Sequence, residues 1–127
     1  MPFPGKLLYD KNVPGGSRPY YYRLVDGWRP EPCDWFEAGP LMARFRDRCI
    51  GCDHLANGVN VSTAFLVFDH NAFGDGPPIL WNTILSFPNG NQRLYRKYGY
   101  YEDAIEGHKE ACAVVSLLDD ALENRAF

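Results

Sequence analysis

The segment VSTAFLVFDHNAFGDGPPILWNTI, from Val61 to Ile84, limits the fold more than any other part of the chain. At alternate positions one face carries Val59, Val61, Thr63, Phe65 and Val67, and the other carries Ala64, Leu66 and Phe68. A strand with two apolar faces belongs in the middle of a sheet and covered on both sides, since a one-sided strand alternates apolar with polar. This strand, 59–69, ends on the polar pair Asp69-His70. Gly74, Gly76, Pro77 and Pro78 then stiffen the return into a second apolar run, Ile79 to Phe87.

Turn signals place the neighbouring strands. Asn57-Gly58 makes a hairpin of CIGCDHL and the central strand, and Asn89-Gly90 makes another of the second apolar run and QRLYRKY. Before them, Asp34 caps a helical stretch, with Glu37 completing a capping-box pattern. Gly39-Pro40 interrupts that stretch, which predicts a short first turn and then a helix from Pro40 to Arg48. After them, Ala104, Ile105, Ala111, Cys112, Val115, Leu118 and Leu122 form one apolar stripe at helical spacing between about 101 and 123.

The expected fold is α+β: a single domain with an antiparallel three- to four-stranded sheet, helices packed on one face, and the order arm-α-β-β-β-β-α. Residues 1–32, dense in proline and glycine, form an irregular arm with one edge strand at Tyr20 to Val25, docked by its aromatics, and 33–127 form the domain. Val61, Phe65, Leu66, Val67, Ile84, Leu85, Ile105 and Val115 are the expected core.

Composition narrows the functions. At 127 residues the chain is one domain, and its net charge of −3 argues against nucleic acid as a partner. It has no apolar run long enough for a membrane span and no basic-then-apolar start, so a cytosolic protein with reduced cysteines is expected. No P-loop, dinucleotide fingerprint or nucleophile elbow is present, and no cofactor is implied.

Two clusters have the right chemistry for a site. His108 lies on the buried stripe of the last helix and needs a hydrogen-bond partner. The Asp69-His70 corner is the expected one, with Asn71, Gly76, Pro77, Pro78 and Trp81 around it. That arrangement is either a ligand or acid-base site or a polar latch between helix and sheet. Cys49, Cys52 and His54 resemble a metal motif, but strand alternation sends the two thiols to opposite faces, and no second Cys-x-x-Cys supplies a fourth ligand.

Trp35-Phe36-Glu37, Val61-Ser62-Thr63 with Phe65, Asp69-His70, GPPILW with Thr83, and Tyr98 followed by Glu102, Ala104, Gly107 and His108 together resemble a family of small phage-encoded accessory proteins of unassigned function. The resemblance covers about 33–115. It departs at the last helix, where Gly99-Tyr100 stands in place of a Ser/Thr cap, and at the paired cysteines. It implies an accessory phage protein acting in the host cytoplasm. Small size, acidity, the lack of a catalytic motif and an aromatic-rich arm point to one that binds and inhibits or redirects a host component, such as an anti-phage defence protein. Other readings are a small-ligand or nucleotide sponge, or a small acid-base or metal-dependent enzyme, both at Asp69-His70-His108. A homodimer is compatible with each.

Overall fold

A two-stranded and a four-stranded antiparallel sheet build the α+β domain in a computed structural model that describes residues 19–118. The first sheet is a hairpin of β1 (Tyr21–Val25) and β2 (Arg29–Cys33). Then come α1 (Trp35–Ala43), α2 (Phe45–Arg48), β3 (Cys49–His54), β4 (Asn60–Phe65), β5 (Trp81–Ser86), β6 (Gln92–Tyr98) and α3 (Tyr101–Val115). The second sheet is a meander, β3-β4-β5-β6, and α3 packs across all four of its strands. No described helix is long and apolar enough to cross a membrane.

Both Asn-Gly turns form where expected, with Gly58 and Gly90 each at φ +91°. Asn57 also reaches out of its turn, and its Nδ2 donates to the carbonyls of Val115 and Leu118 at 2.9 and 3.0 Å. Val115 is the last residue of α3 and Leu118 ends the turn that follows, where few backbone donors remain for the final carbonyls. At the start of α3, Tyr100 makes no side-chain cap, and Glu102 and Asp103 complement the exposed amides instead.

Four expectations need correcting. The arm has a second strand: β2 pairs with β1 although it contains Pro30 and Pro32. The two prolines occupy alternate positions of an edge strand, where the missing N–H groups face away from β1. The described part of the arm also docks through its backbone, with Tyr22 N–H donating to Val67 C=O at 2.6 Å and Asp69 N–H to Tyr20 C=O at 2.8 Å. Residues 1–18 lie outside the described residues, as do positions 119–123 of the expected last helix, whose described part ends at Val115.

Second, Gly39-Pro40 sits inside one continuous α1. The carbonyl that Pro40 leaves without a donor belongs to Phe36, on the solvent side, so water can serve it. The break falls at Arg44, whose N–H closes back on Leu41 at 3.1 Å. The Asp34 cap forms, accepting from Glu37 N–H at 3.0 Å, while the Glu37 carboxylate turns to Arg23 at 2.8 Å.

Third, the central strand stops at Phe65 and does not run to residue 69. Val67 takes a left-handed conformation, φ +73°, although fully buried. A β-branched residue there is strained by about 1–3 kcal/mol. The kink lets Phe68 bridge to Tyr21 of the hairpin.

Fourth, among the described residues the face toward α3 is closed and the other face is only partly covered. Val61, Phe65, Val67, Leu85 and Val115 are buried, but Leu66, Ile84 and Ile105 are only half-buried. On the face away from α3, Asn60 is exposed and Ser62 half-exposed.

The core is split in two. Phe65, Val67, Leu80, Trp81 and Ala104 pack with Tyr22 and Ala38 near the hairpin. Val59, Val61, Leu85, Phe87, Ala111 and Val115 pack at the other end. Phe65→Ala, which opens a cavity in the first cluster, should cost about 3–5 kcal/mol in chemical denaturation; a loss below about 1 kcal/mol would show the site collapsing around a dispensable ring.

Candidate functional site

Between the two apolar clusters lies a layer of polar side chains, one from each strand of the meander and one from α3. On β4, Thr63 stands between Val61 and Phe65, and on β5, Thr83 stands between Leu85 and Trp81, directly opposite Thr63. Both threonines are fully buried and their hydroxyls are 2.5 Å apart. Tyr98 of β6 reaches Thr83 Oγ1 at 3.0 Å, and His108 of α3 reaches Thr63 Oγ1 through Nδ1 at 2.7 Å. Its other nitrogen, Nε2, lies 2.6 Å from Asp53 Oδ2 of β3. Cys112, one turn further along α3, places Sγ 3.6 Å from that carboxylate oxygen and 3.7 Å from Nε2.

The chain of bonds has one consistent direction at neutral charge. The Asp53 carboxylate can only accept, so Nε2 carries the imidazole proton and Nδ1 accepts from Thr63. Thr63 then accepts from Thr83, and Thr83 from the Tyr98 hydroxyl. Burial pushes the Tyr98 phenol up, which keeps it a donor. The hydrogen bond from His108 holds the Asp53 carboxyl below its ordinary value.

Local sequence makes room for this layer. Cys49 lies opposite Ala64 but Gly51 lies opposite Thr63, so Ile50 is the extra residue of a β-bulge. The bulge reverses the alternation and turns Gly51 and Asp53 toward α3. The His108 ring then rests on Gly51, where a β-carbon would fall 2.7 Å from Nε2. Gly107 gives Tyr98 the same clearance on the helix, since a β-carbon there would fall 2.1 Å from its hydroxyl.

His108 therefore does face the sheet, but its partners are Thr63 and Asp53, not the Asp69-His70 corner. The Val67 kink sends that corner beyond the end of β4 and against the hairpin. Asp69 is buried, and its Oδ1 accepts from Asn71 N–H at 2.7 Å and Ile79 N–H at 3.0 Å, tying together the two ends of the loop. Asn71 Nδ2 donates to the Asp75 carbonyl at 3.0 Å within the loop. Gly76 takes φ +97°, and Pro77 and Pro78 pack near Gly99. Trp81 is fully buried in the hairpin-side cluster. The cleft at the corner, about 410 Å³, is lined by Asp69, His70, Asn71 and the exposed Phe73, while Pro77 and Asn71 also border a separate cleft of about 680 Å³ over Tyr98.

The bulge also corrects the cysteine geometry. Cys49, Cys52 and His54 lie opposite Ala64, Ser62 and Asn60, so all three share the face away from α3 and the thiols do not diverge. Burial first, and then the nearby Cys52, push the Cys49 thiol up. His54 turns to Asn60 instead of toward the thiols. Among the described residues, the His, Cys and acidic side chains close enough to share a cation are Asp53, His108 and Cys112, with ligand atoms all within 4.8 Å.

Thr63–His108–Asp53 has the bond order of a nucleophile triad, but Thr63 is fully buried and out of reach of a substrate. Cys112 fares no better as a nucleophile, because burial and the Asp53 carboxylate push its thiol up to about 11. Thr63 and Thr83 could have been read from the sequence as the single polar positions in two apolar faces. Asp53 could not, because its orientation depends on the bulge. Comparison with protein-family models, curated proteins and solved structures finds no match for this chain, so the resemblance to phage accessory proteins stands on its motifs alone.

Gly51→Ala should destabilise the protein by about 1–3 kcal/mol through overpacking against an imidazole bonded on both sides; an unchanged denaturation midpoint would show that the ring is free to move. His70 gives a pH test. Burial, and then Lys97, lower its pKa below the ordinary 6.5, and Nε2 is buried with no partner among the described residues. The folded state thus holds His70 neutral. The unfolded chain takes up the proton first as pH falls below 6.5, and stability is lost from there downward until the folded His70 protonates. His70→Phe, which keeps the stack on Phe68, should lose less thermal stability than wild type between about pH 7.5 and about pH 5.5. Equal losses would place the pH dependence elsewhere.

Proposed function

We propose that this chain works by binding another protein through the outer face of α1, as an accessory factor that inhibits or redirects its target. The observation behind this reading is the exposed pair Trp35 and Phe36, 62% and 71% accessible and stacked with ring centroids 4.0 Å apart. Met42 and Phe45, 36% and 50% accessible, extend the patch, and Gly39, Pro40 and Ala43 are exposed between them. The side of α1 that meets the hairpin needs only Ala38 and Leu41. Packing among the described residues therefore does not account for its outer aromatics, and exposed Trp and Phe rimmed by charge are typical interface anchors.

The rim indicates the kind of partner. Arg44 and Arg46 are exposed beside the patch. Asp34, Glu37 and Asp47 are exposed there as well, so the rim carries both signs of charge and fits a partner whose border around an apolar pocket is likewise mixed. Beside the patch, a groove of about 680 Å³ carries Leu24, Leu41 and Ile50 together with the charged Arg23, Glu37, Asp47 and Arg48. In the setting implied by the resemblance, the target is a host protein of the infected bacterium, such as one of its defence components. The ligand-sponge and enzyme readings lose support, since the Asp69-His70-His108 cluster they need is not assembled.

Trp35→Ala with Phe36→Ala should leave the thermal midpoint nearly unchanged, both residues being exposed, and weaken binding of the captured host protein by about 2 kcal/mol or more, roughly 30-fold. Capture undiminished by this double substitution would reject the α1 face as the interface.

A further inference from the structure

We propose that Asp53, His108 and Cys112 form a three-ligand site for a zinc-type divalent cation, with a fourth position open to solvent for water or a small anionic group. This inference is independent of the α1 interface, and it uses a different set of residues from the Cys49, Cys52 and His54 motif.

The first argument is geometric. Tetrahedral zinc with one nitrogen, one oxygen and one sulfur ligand sets the sulfur roughly 3.5 Å from each of the other two and the nitrogen roughly 3.3 Å from the oxygen. Here Cys112 Sγ lies 3.7 Å from His108 Nε2 and 3.6 Å from Asp53 Oδ2, so both sulfur edges are already in place. Only the 2.6 Å edge between Nε2 and Oδ2, now a hydrogen bond, has to widen. The Asp53 side chain is 56% exposed and can swing out by that amount without disturbing the core.

The second argument is the scaffold. His108 and Cys112 are four residues apart on α3, one above the other on a single face, which is the spacing by which helices present paired ligands. The third is the shell behind the ligands. A metal-bound imidazole needs a partner on its other nitrogen to fix its orientation and tautomer. Thr63 Oγ1 lies 2.7 Å from Nδ1, and Thr83 and Tyr98 hold Thr63 in turn. When Nε2 binds the cation, its proton passes to solvent. One proton taken up from solvent at Tyr98, which borders the open cleft, is handed along Thr83 and Thr63 to Nδ1, so that Nδ1–H donates to Thr63 and the hydroxyl bonds along the layer reverse. The Cys112 thiol likewise releases its proton to solvent, and the carboxylate that disfavours a thiolate becomes its co-ligand.

Cobalt(II) tests this directly, since it occupies zinc sites and reports its ligands by absorption. The full chain, treated with chelator and titrated with cobalt(II), should bind one equivalent, with intense tetrahedral bands in the visible and a thiolate-to-cobalt band in the near ultraviolet. Cys112→Ser should abolish the thiolate band. Asp53→Asn, at an exposed position, should weaken binding on the order of 10-fold or more with the fold retained. Cys49→Ser with Cys52→Ser should change neither. A titration without a thiolate band would overturn the proposal. So would a band that survives Cys112→Ser or disappears in the Cys49/Cys52 variant.

Discussion

The packing of α3 on the sheet depends on one buried polar contact, the hydrogen bond between His108 and Thr63. An apolar helix on an apolar sheet can slide or rotate at little cost, because hydrophobic burial has no direction. A histidine on that helix removes the freedom. Both of its nitrogens are buried or nearly so, and only one placement of the helix satisfies them from Thr63 and Asp53 together. Any other placement leaves a polar group without a partner, at a cost of about 1–3 kcal/mol each. Once the helix is set at His108, Ala104 meets Trp81 and Phe65 in one cluster, and Ala111 and Val115 meet Val61 and Leu85 in the other.

Much of the architecture was legible in the sequence because it rests on local rules. Asn57-Gly58 and Asn89-Gly90 fixed two turns, apolar patterning fixed the central strands, and the stripe on the last helix turned His108 inward. The misses have a common cause. Ile50 adds a bulge, Val67 takes a left-handed φ and Pro40 stays inside a helix, and in each case tertiary packing overrode the local preference. The bulge had the largest effect. One inserted residue reverses which side chains face the helix, so an alternation that appeared to separate Cys49 from Cys52 in fact sends Asp53 to His108.

The candidate site was legible by half. A buried histidine with a polar partner follows from the sequence, but the identity of the partner does not. Asp69-His70 was the obvious choice, as the strong polar pair at a strand end. In the structure, Asp69 is occupied with the loop amides of Asn71 and Ile79, and the true partners are Thr63, which looks like an ordinary strand residue, and Asp53, which the bulge turns inward. The aromatics of α1 were equally ambiguous. Only burial separates Ala38 and Leu41, which pack inward, from Trp35 and Phe36, which do not.

The bulges have a further effect, on how the sheet ends. A four-stranded meander has two open edges, and a regular edge strand is a template for pairing with another chain. On β3 the edge is bent at Ile50, and on β6 the register shifts again opposite Thr83 and Ile84. Along β6, Arg93, Arg96 and Lys97 add charge to the irregularity. Neither edge offers an incoming strand an unbroken, uncharged row of amides and carbonyls. The irregularity that turns Asp53 toward α3 thus also makes the edge of β3 a poor template for a further strand.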